Sequence, residues 1–243
     1  MDNVRRRQLL CVATAAAVAL GPSACSSTTP ADHTKPTSPS SSAPAGLLQQ
    51  VRKSSAAARS VHIKGTLANN ASKAARVQID IAGDRTGKNT RVSANDGTGS
   101  LEILTVGGRS YLKADAAYWT KNGSAAIAKI AAGKYVEVPA GSAAVMGDLT
   151  VGRLLDRVFA QDIPAVGKLD TSVTTAEVNG APAYLMTTKI KGTKIYVSAD
   201  GQAHLLRVVT PKSQQTTLDF SEWNAVPHTS TPPADQLAKI PGL

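Results

Sequence analysis

The 243-residue chain carries 27 Lys and Arg against 17 Asp and Glu, a formal charge of +10, with 42% hydrophobic but only 4% aromatic residues. Basic residues run from Lys64 and Arg76 through Arg157 to Lys212 rather than gathering on one stripe with interleaved aromatics, which argues against a nucleic-acid partner. That charge suits anionic headgroups or wall polymers, or a generic solubilising surface.

Arg5-Arg6-Arg7 precede an uncharged stretch, Gln8 to Ala24, rich in Leu, Val and Ala. Positive charge, a short apolar run and small residues after it make an export signal, and the run is too short for a membrane span of roughly 20 apolar residues. Arg6-Arg7-Gln8-Leu9-Leu10 fits a twin-arginine signal and an ordinary one alike. Cleavage after Ala24 would remove Cys11 and leave Cys25 first in the mature chain, with a formal charge of +8 once three Arg and one Asp are gone. The segment resembles the lipobox of bacterial lipoproteins, in which the cysteine thiol receives a diacylglycerol. Ser23 and Ala24 match, while Pro22 stands where the pattern favours Leu. The other reading is a secreted protein with a free thiol, and an odd cysteine after export favours the lipoprotein. No disulfide can form within the mature chain.

Residues 26–45 are rich in Ser and Thr, with Pro30, Pro36, Pro39 and Pro44 and no large apolar side chain. Such a segment cannot bury enough surface to order itself and reads as a tether. The expected organisation is therefore a signal over 1–24, a lipidated cysteine and tether over 25–45, and one domain over 46–243.

Leu47, Leu48, Val51 and Ser55 recur at the spacing of one helix face. Alternation follows: Val61, Ile63 and Leu67, then Val77, Ile79 and Ile81, each set interleaved with polar residues as in half-buried antiparallel strands. Further strands are predicted near 89–95, 100–106 and 109–114, with a hairpin turn at Gly107-Gly108. Ala116–Ala132, interrupted by Asn122-Gly123, and Thr150–Ala160 read as short helices over something apolar. Strands return near 170–178, 182–189, 193–198, 203–210 and 215–222, separated by Asn179-Gly180, Lys191-Gly192 and Asp200-Gly201. Two meanders around a helical middle predict an α+β domain, one large antiparallel sheet with helices on a single face.

The order and spacing of Val106-Gly107-Gly108-Arg109-Ser110-Tyr111-Leu112-Lys113, Ala117-Tyr118-Trp119 and Ala132-Gly133-Lys134-Tyr135-Val136-Glu137-Val138 resemble actinobacterial LppX/LprG-type (LolA-like) lipoproteins. Val178-Asn179-Gly180-Ala181-Pro182-Ala183-Tyr184, Ile195–Gly201 and Pro232-Pro233-Ala234-Asp235-Gln236-Leu237 follow the same plan. The resemblance implies a strongly curved antiparallel half-barrel, with helices closing its concave face over an apolar cavity that holds lipid acyl chains. The residues expected to line it are Val77, Ile79, Ile81, Leu101, Ile103, Ile127, Leu154, Leu155 and Val158. Taken singly, each of them reads as plain core; the cavity expectation concerns the ensemble. Small Ala-rich lid residues leave space that Leu or Phe would fill.

Catalytic readings fail on residue supply. His33, His62, His204 and His228 have no zinc-like spacing, and no His-Glu-x-x-His, paired Cys, Gly-x-Ser-x-Gly or phosphate loop occurs. Ser110-Tyr111-Leu112-Lys113 matches Ser-x-x-Lys, but on a predicted strand where that motif needs a helix. Asp80, Asp84 and Asp96 fit no calcium loop and read as turn and solvent-face residues. The expectation is a non-enzymatic protein without cofactor, lipid-anchored on the outer face of the cell membrane, carrying lipid or glycolipid acyl chains. The alternative is a solid-cored lipoprotein that binds an envelope protein or wall polymer.

Overall fold

The computed structural model describes residues 44–68, 76–138, 150–163, 169–188, 192–211 and 216–240, with only the backbone of 44 and of 169–172. The signal segment, Cys25 and nearly all of the tether lie outside these residues.

Helix α1 (Pro44–Ala57) opens at a proline, whose fixed φ suits the first helical turn. It buries Leu47, Leu48, Val51 and Ser55 as one face while Gln49 and Gln50 stay exposed. Five strands follow as a meander: β1 (Ser60–Ala68), β2 (Arg76–Asp84), β3 (Asn89–Asn95), β4 (Ser100–Val106) and β5 (Arg109–Ala114). Gly107 and Gly108 turn the β4–β5 hairpin with φ of 60° and 85°, as the sequence predicted. The Ala-rich middle is two helices rather than one, α2 (Ala116–Asn122) and α3 (Ala125–Ala131). Asp115 caps the first by accepting from Tyr118 N, and Ser124 caps the second by accepting from Ile127 N. Gly123 N donates to Trp119 O at 2.9 Å and ends α2 there.

A four-residue strand, β6 (Tyr135–Val138), pairs with β5; no alternation long enough to predict it exists in the sequence. Helix α4 (Val151–Arg157) starts at the cap Thr150 and runs into a wider π-type turn, Val158–Asp162, where the sequence suggested helix to Ala160. The second meander is β7 (Leu169–Val178), β8 (Ala181–Thr188), β9 (Lys194–Ser198), β10 (Leu205–Val209) and β11 (Thr217–Ser221).

All eleven strands form one open antiparallel sheet in the order β6-β5-β4-β3-β2-β1-β11-β10-β9-β8-β7. The two meanders join where β1 pairs with β11, Ile63 opposite Phe220. With strands about 4.8 Å apart, eleven of them span about 48 Å, and a twisted sheet that wide coils rather than lying flat. Its inner face carries one core cluster that unites both meanders, including Ile63, Ile81, Ile103, Met186, Ile195, Leu205 and Leu218 with Leu154 and Leu155 of α4. The fold is thus the α+β class expected, an antiparallel sheet with helices against its inner face.

Polar ties fix the helices to the sheet. Arg85, in the β2–β3 turn, donates to Ser55 O of α1 at 2.7 Å and to Asp156 of α4 at 2.9 Å. Arg52 donates to Ile163 O at 2.8 Å. Gly152 lets α4 approach that turn: a Cβ there would lie 2.6 Å from Arg85 O.

Candidate functional site

Strand register sorts the predicted lining residues into rows. Ile79, Ala94, Leu101 and Ala114 stand side by side across β2 to β5, and Ile81, Val92, Ile103 and Leu112 form the next inward row. Ile79, Ile81 and Ile103, with Leu154, Leu155 and Val158 from the α4 region, are at most 5% exposed. At that exposure these six are core in this conformation. Val77 and Leu101 are half-buried and packed against the edge of the same cluster. Ile127 is half-buried on α3 and stands outside the cluster.

Space exists at that edge. A groove of about 260 Å³ runs between α2 and the ends of β2–β4, lined by Val77, Ala94, Leu101, Ala117, Tyr118 and Lys121. It falls just short of the ~300–1,000 Å³ of small-molecule pockets. Its roof is lightly held, because α2 has no buried residue. Tyr118 and Trp119 meet edge-to-face, with centroids 5.5 Å apart, and pack on the core from above. Among the described residues Trp119 Nε1, shut off from solvent, has no hydrogen-bond partner, a situation that costs ~1–3 kcal/mol. Asp115 holds the base of the roof. The backbone N–H groups of Tyr118 and Ser100 donate to it and keep its carboxyl below the usual carboxylate range.

The opposite, outer face of β1–β5 bears a second groove of about 640 Å³ among Lys64, Gln78, Asp80, Asn95, Glu102 and Lys113. Register places Lys64, Asp80, Ser93, Glu102 and Lys113 in one row there. Burial works against ionisation of Asp80, but hydrogen bonds from His62 and Lys64 prevail and its pKa lies below the ordinary value. His62 reaches Asp80 at 2.7 Å and Glu222 at 3.1 Å. Burial, then a 3.0 Å hydrogen bond donated to Glu102, pushes the Tyr135 hydroxyl up to about 12. Arg91 pairs with the same carboxylate. Sequence periodicity placed these residues on a wet face but gave no sign of a groove; the row of two acids flanked by two lysines becomes visible only once the register is known.

The sequence motifs set aside as decoys behave accordingly. Ser110–Lys113 lies on β5. Asp84 closes the β2–β3 turn by accepting from Thr86, Lys88 and Asn89, and Asp96 closes the next turn by accepting from Thr98 and Gly99. Among the described residues, no group of three or more His, Cys, Asp or Glu could hold a metal ion, and no helix is long and apolar enough to cross a membrane.

No protein-family model matches this chain, and no curated protein matches it. Solved structures do. Lipoprotein LppX of Mycobacterium tuberculosis is similar with a TM-score of 0.42 and 11% identity, over 74% of this chain and 94% of LppX. The MucA/MucB complex of Pseudomonas aeruginosa matches with a TM-score of 0.33 and 15% identity over 79% of this chain. A further structure, of MucB with MucA(peri), matches at 0.34 and 11% over 81%. This chain spans 59% and 61% of the matched chains in those two complexes. At such identities and TM-scores the likeness assigns neither a family nor a ligand.

Proposed function

We propose that the protein is a non-catalytic envelope lipoprotein, anchored through Cys25, that binds lipid acyl chains on the inner face of its sheet with α2 and α3 as the movable cover. The observation that supports this best is the groove under α2. Val77 and Leu101 form its floor at the edge of the apolar rows, and its roof is a helix with no buried residue. Lifting α2 would extend the groove along the Ile79 and Ile81 rows. Each methylene then transferred from water contributes roughly 0.8 kcal/mol, so a chain of ten or more methylenes outweighs the packing that the lid gives up. A diacylated Cys25 gives stable attachment where a single chain is marginal.

The test is native mass spectrometry of the exported chain, followed by solvent extraction and lipid analysis. A stoichiometric adduct that returns as one lipid class is the expected result. A clean apo mass, with no uptake of offered phospholipid or glycolipid, would overturn the reading. That second outcome favours an adaptor for an envelope protein or wall polymer. The closed packing around Ile81, Leu154, Leu155 and Val158 supports the adaptor, and the polar outer groove offers it a surface.

A further inference from the structure

The cover itself has an outer surface unlike the rest of the domain. Among the described residues, one large hydrophobic side chain is exposed, Ile130 at 44%, and it sits on α3. Ala126, Lys129 and Ile130 share a face by helical spacing, opposite the buried Ala128 and Ala131. From Ala116 to Lys134 the chain contains Lys121, Lys129 and Lys134, all exposed, and no Asp or Glu. The carboxylates nearby include Asp96, close enough to feel the charge of Lys121, Asp115, occupied in capping α2, and Glu137, exposed on β6 three residues beyond Lys134. The remaining exposed positions are five alanines, Ala116, Ala117, Ala125, Ala126 and Ala132, together with Thr120, Asn122, Gly123, Ser124 and Gly133, none of them large or charged.

We propose that the outer surface of α2 and α3 docks on an anionic lipid bilayer, with Lys121, Lys129 and Lys134 against headgroup phosphates and Ile130 inserted at the acyl boundary. This deepens the acyl-binding reading and rests on it. Complementarity of charge selects the partner: three exposed cations and no acid from Ala116 to Lys134, with one exposed large apolar side chain in the same segment, match a negatively charged interface, which attracts basic side chains and accepts apolar ones. The place is apt, because the exposed Ala117, Lys121 and Asn122 of α2 also border the groove and so stand at its rim. Docking would therefore bring the groove mouth to the surface from which an acyl chain is drawn.

The experiment uses the exported full chain carrying Cys25→Ala, so that no acyl anchor can hold it, and co-sedimentation with vesicles. Vesicles of phosphatidylcholine with phosphatidylglycerol should carry the protein down at low salt, and pure phosphatidylcholine vesicles should not. Each lysine-to-glutamine change should weaken partitioning about five-fold, and the triple variant about a hundred-fold. Ile130→Gln should weaken it about ten-fold at constant charge. Arg153→Gln with Arg157→Gln, exposed on α4, should change it less than two-fold. Because all these side chains are exposed, the melting temperatures should agree and show that each variant folds. Equal binding to both vesicles, no binding to either, or an equal loss on changing the α4 arginines would each overturn the proposal. A lipid adduct in native mass spectra without vesicle binding removes the docking surface alone. Vesicle binding without an adduct leaves the surface and removes its link to acyl transfer.

Discussion

Gly65 of β1 faces the carbonyl of Thr217 of β11 so closely that a Cβ added to it would lie 1.9 Å from that oxygen. The contact falls where the two meanders meet, Gly65 opposite Leu218 in the register. No side chain can shift to relieve it, because the obstructing atom is backbone. Gly65→Ala should therefore part the strands that unite the sheet and destabilise the domain by about 3 kcal/mol or more. Urea denaturation measures this; a loss below about 1 kcal/mol would show that the sheet yields at this seam.

The ion pairs of the outer face give a pH signature. Against the opposing effect of burial, His62 and Lys64 hold Asp80 below its ordinary value of 3.8. A depressed carboxylate contributes stability that is complete above 3.8 and fades as pH falls through its folded value. The pair is half exposed, so the contribution is small, ~0.5–1 kcal/mol. Asp80→Asn should cost that much at pH 7 and nothing in acid well below 3.8. Denaturation of both proteins across that range decides it, and a difference that persists undiminished in strong acid would contradict the assignment.

Much of this architecture was legible in the sequence, for reasons that also mark the limits. Alternation in Val61–Leu67 and Val77–Ile81, with turn pairs such as Gly107-Gly108 and Asn179-Gly180, reports local geometry, and local geometry sets hairpins. Pairing of β1 with β11, which leaves no room for a Cβ at Gly65, joins residues some 150 positions apart in sequence, which no period expresses. Strand β6 is four residues long and held partly by the C-terminal segment, Ala238 N donating to Tyr135 O at 2.7 Å. Periodicity likewise told which face Ile81 and Leu154 occupy but not how tightly they pack. It grouped them with Val77 and Leu101, although only the latter pair borders the groove.

Tyr135 tests the outer network from the alkaline side. Its hydroxyl, pushed up to about 12 by burial and by Glu102, should ionise well above the ordinary value of 10. A raised folded value contributes stability below pH 10 that is lost as pH rises through about 12. Ultraviolet titration should therefore show one of the five tyrosines ionising late, and Tyr135→Phe should remove that late step. The same substitution should cost ~1 kcal/mol at neutral pH, the ordinary worth of the hydrogen bond. A titration in which the substitution removes no late step would mean that the Tyr135–Glu102 contact is absent in solution.

Ala94 offers the sharpest test of where acyl chains enter. It stands between Ile79 and Leu101 in the inner row and lines the groove under α2, where it is half-buried. Ala94→Phe would place a ring in that space. Phenylalanine suits a strand, and the groove has room for it, so stability should stay within ~1 kcal/mol of the parent. Binding of a fluorescent fatty acid should fall at least about ten-fold, since a filled groove removes two or more methylenes of contact at ~0.8 kcal/mol each. Leu101→Ala enlarges the same space and should be tolerated for binding while costing ~2–3 kcal/mol of stability, less than at a fully buried site. If Ala94→Phe binds the fatty acid as well as the parent does, the chain enters elsewhere on the inner face. The groove would then be an incidental gap beneath a short helix, and the lid would have to open at α3 or α4 instead.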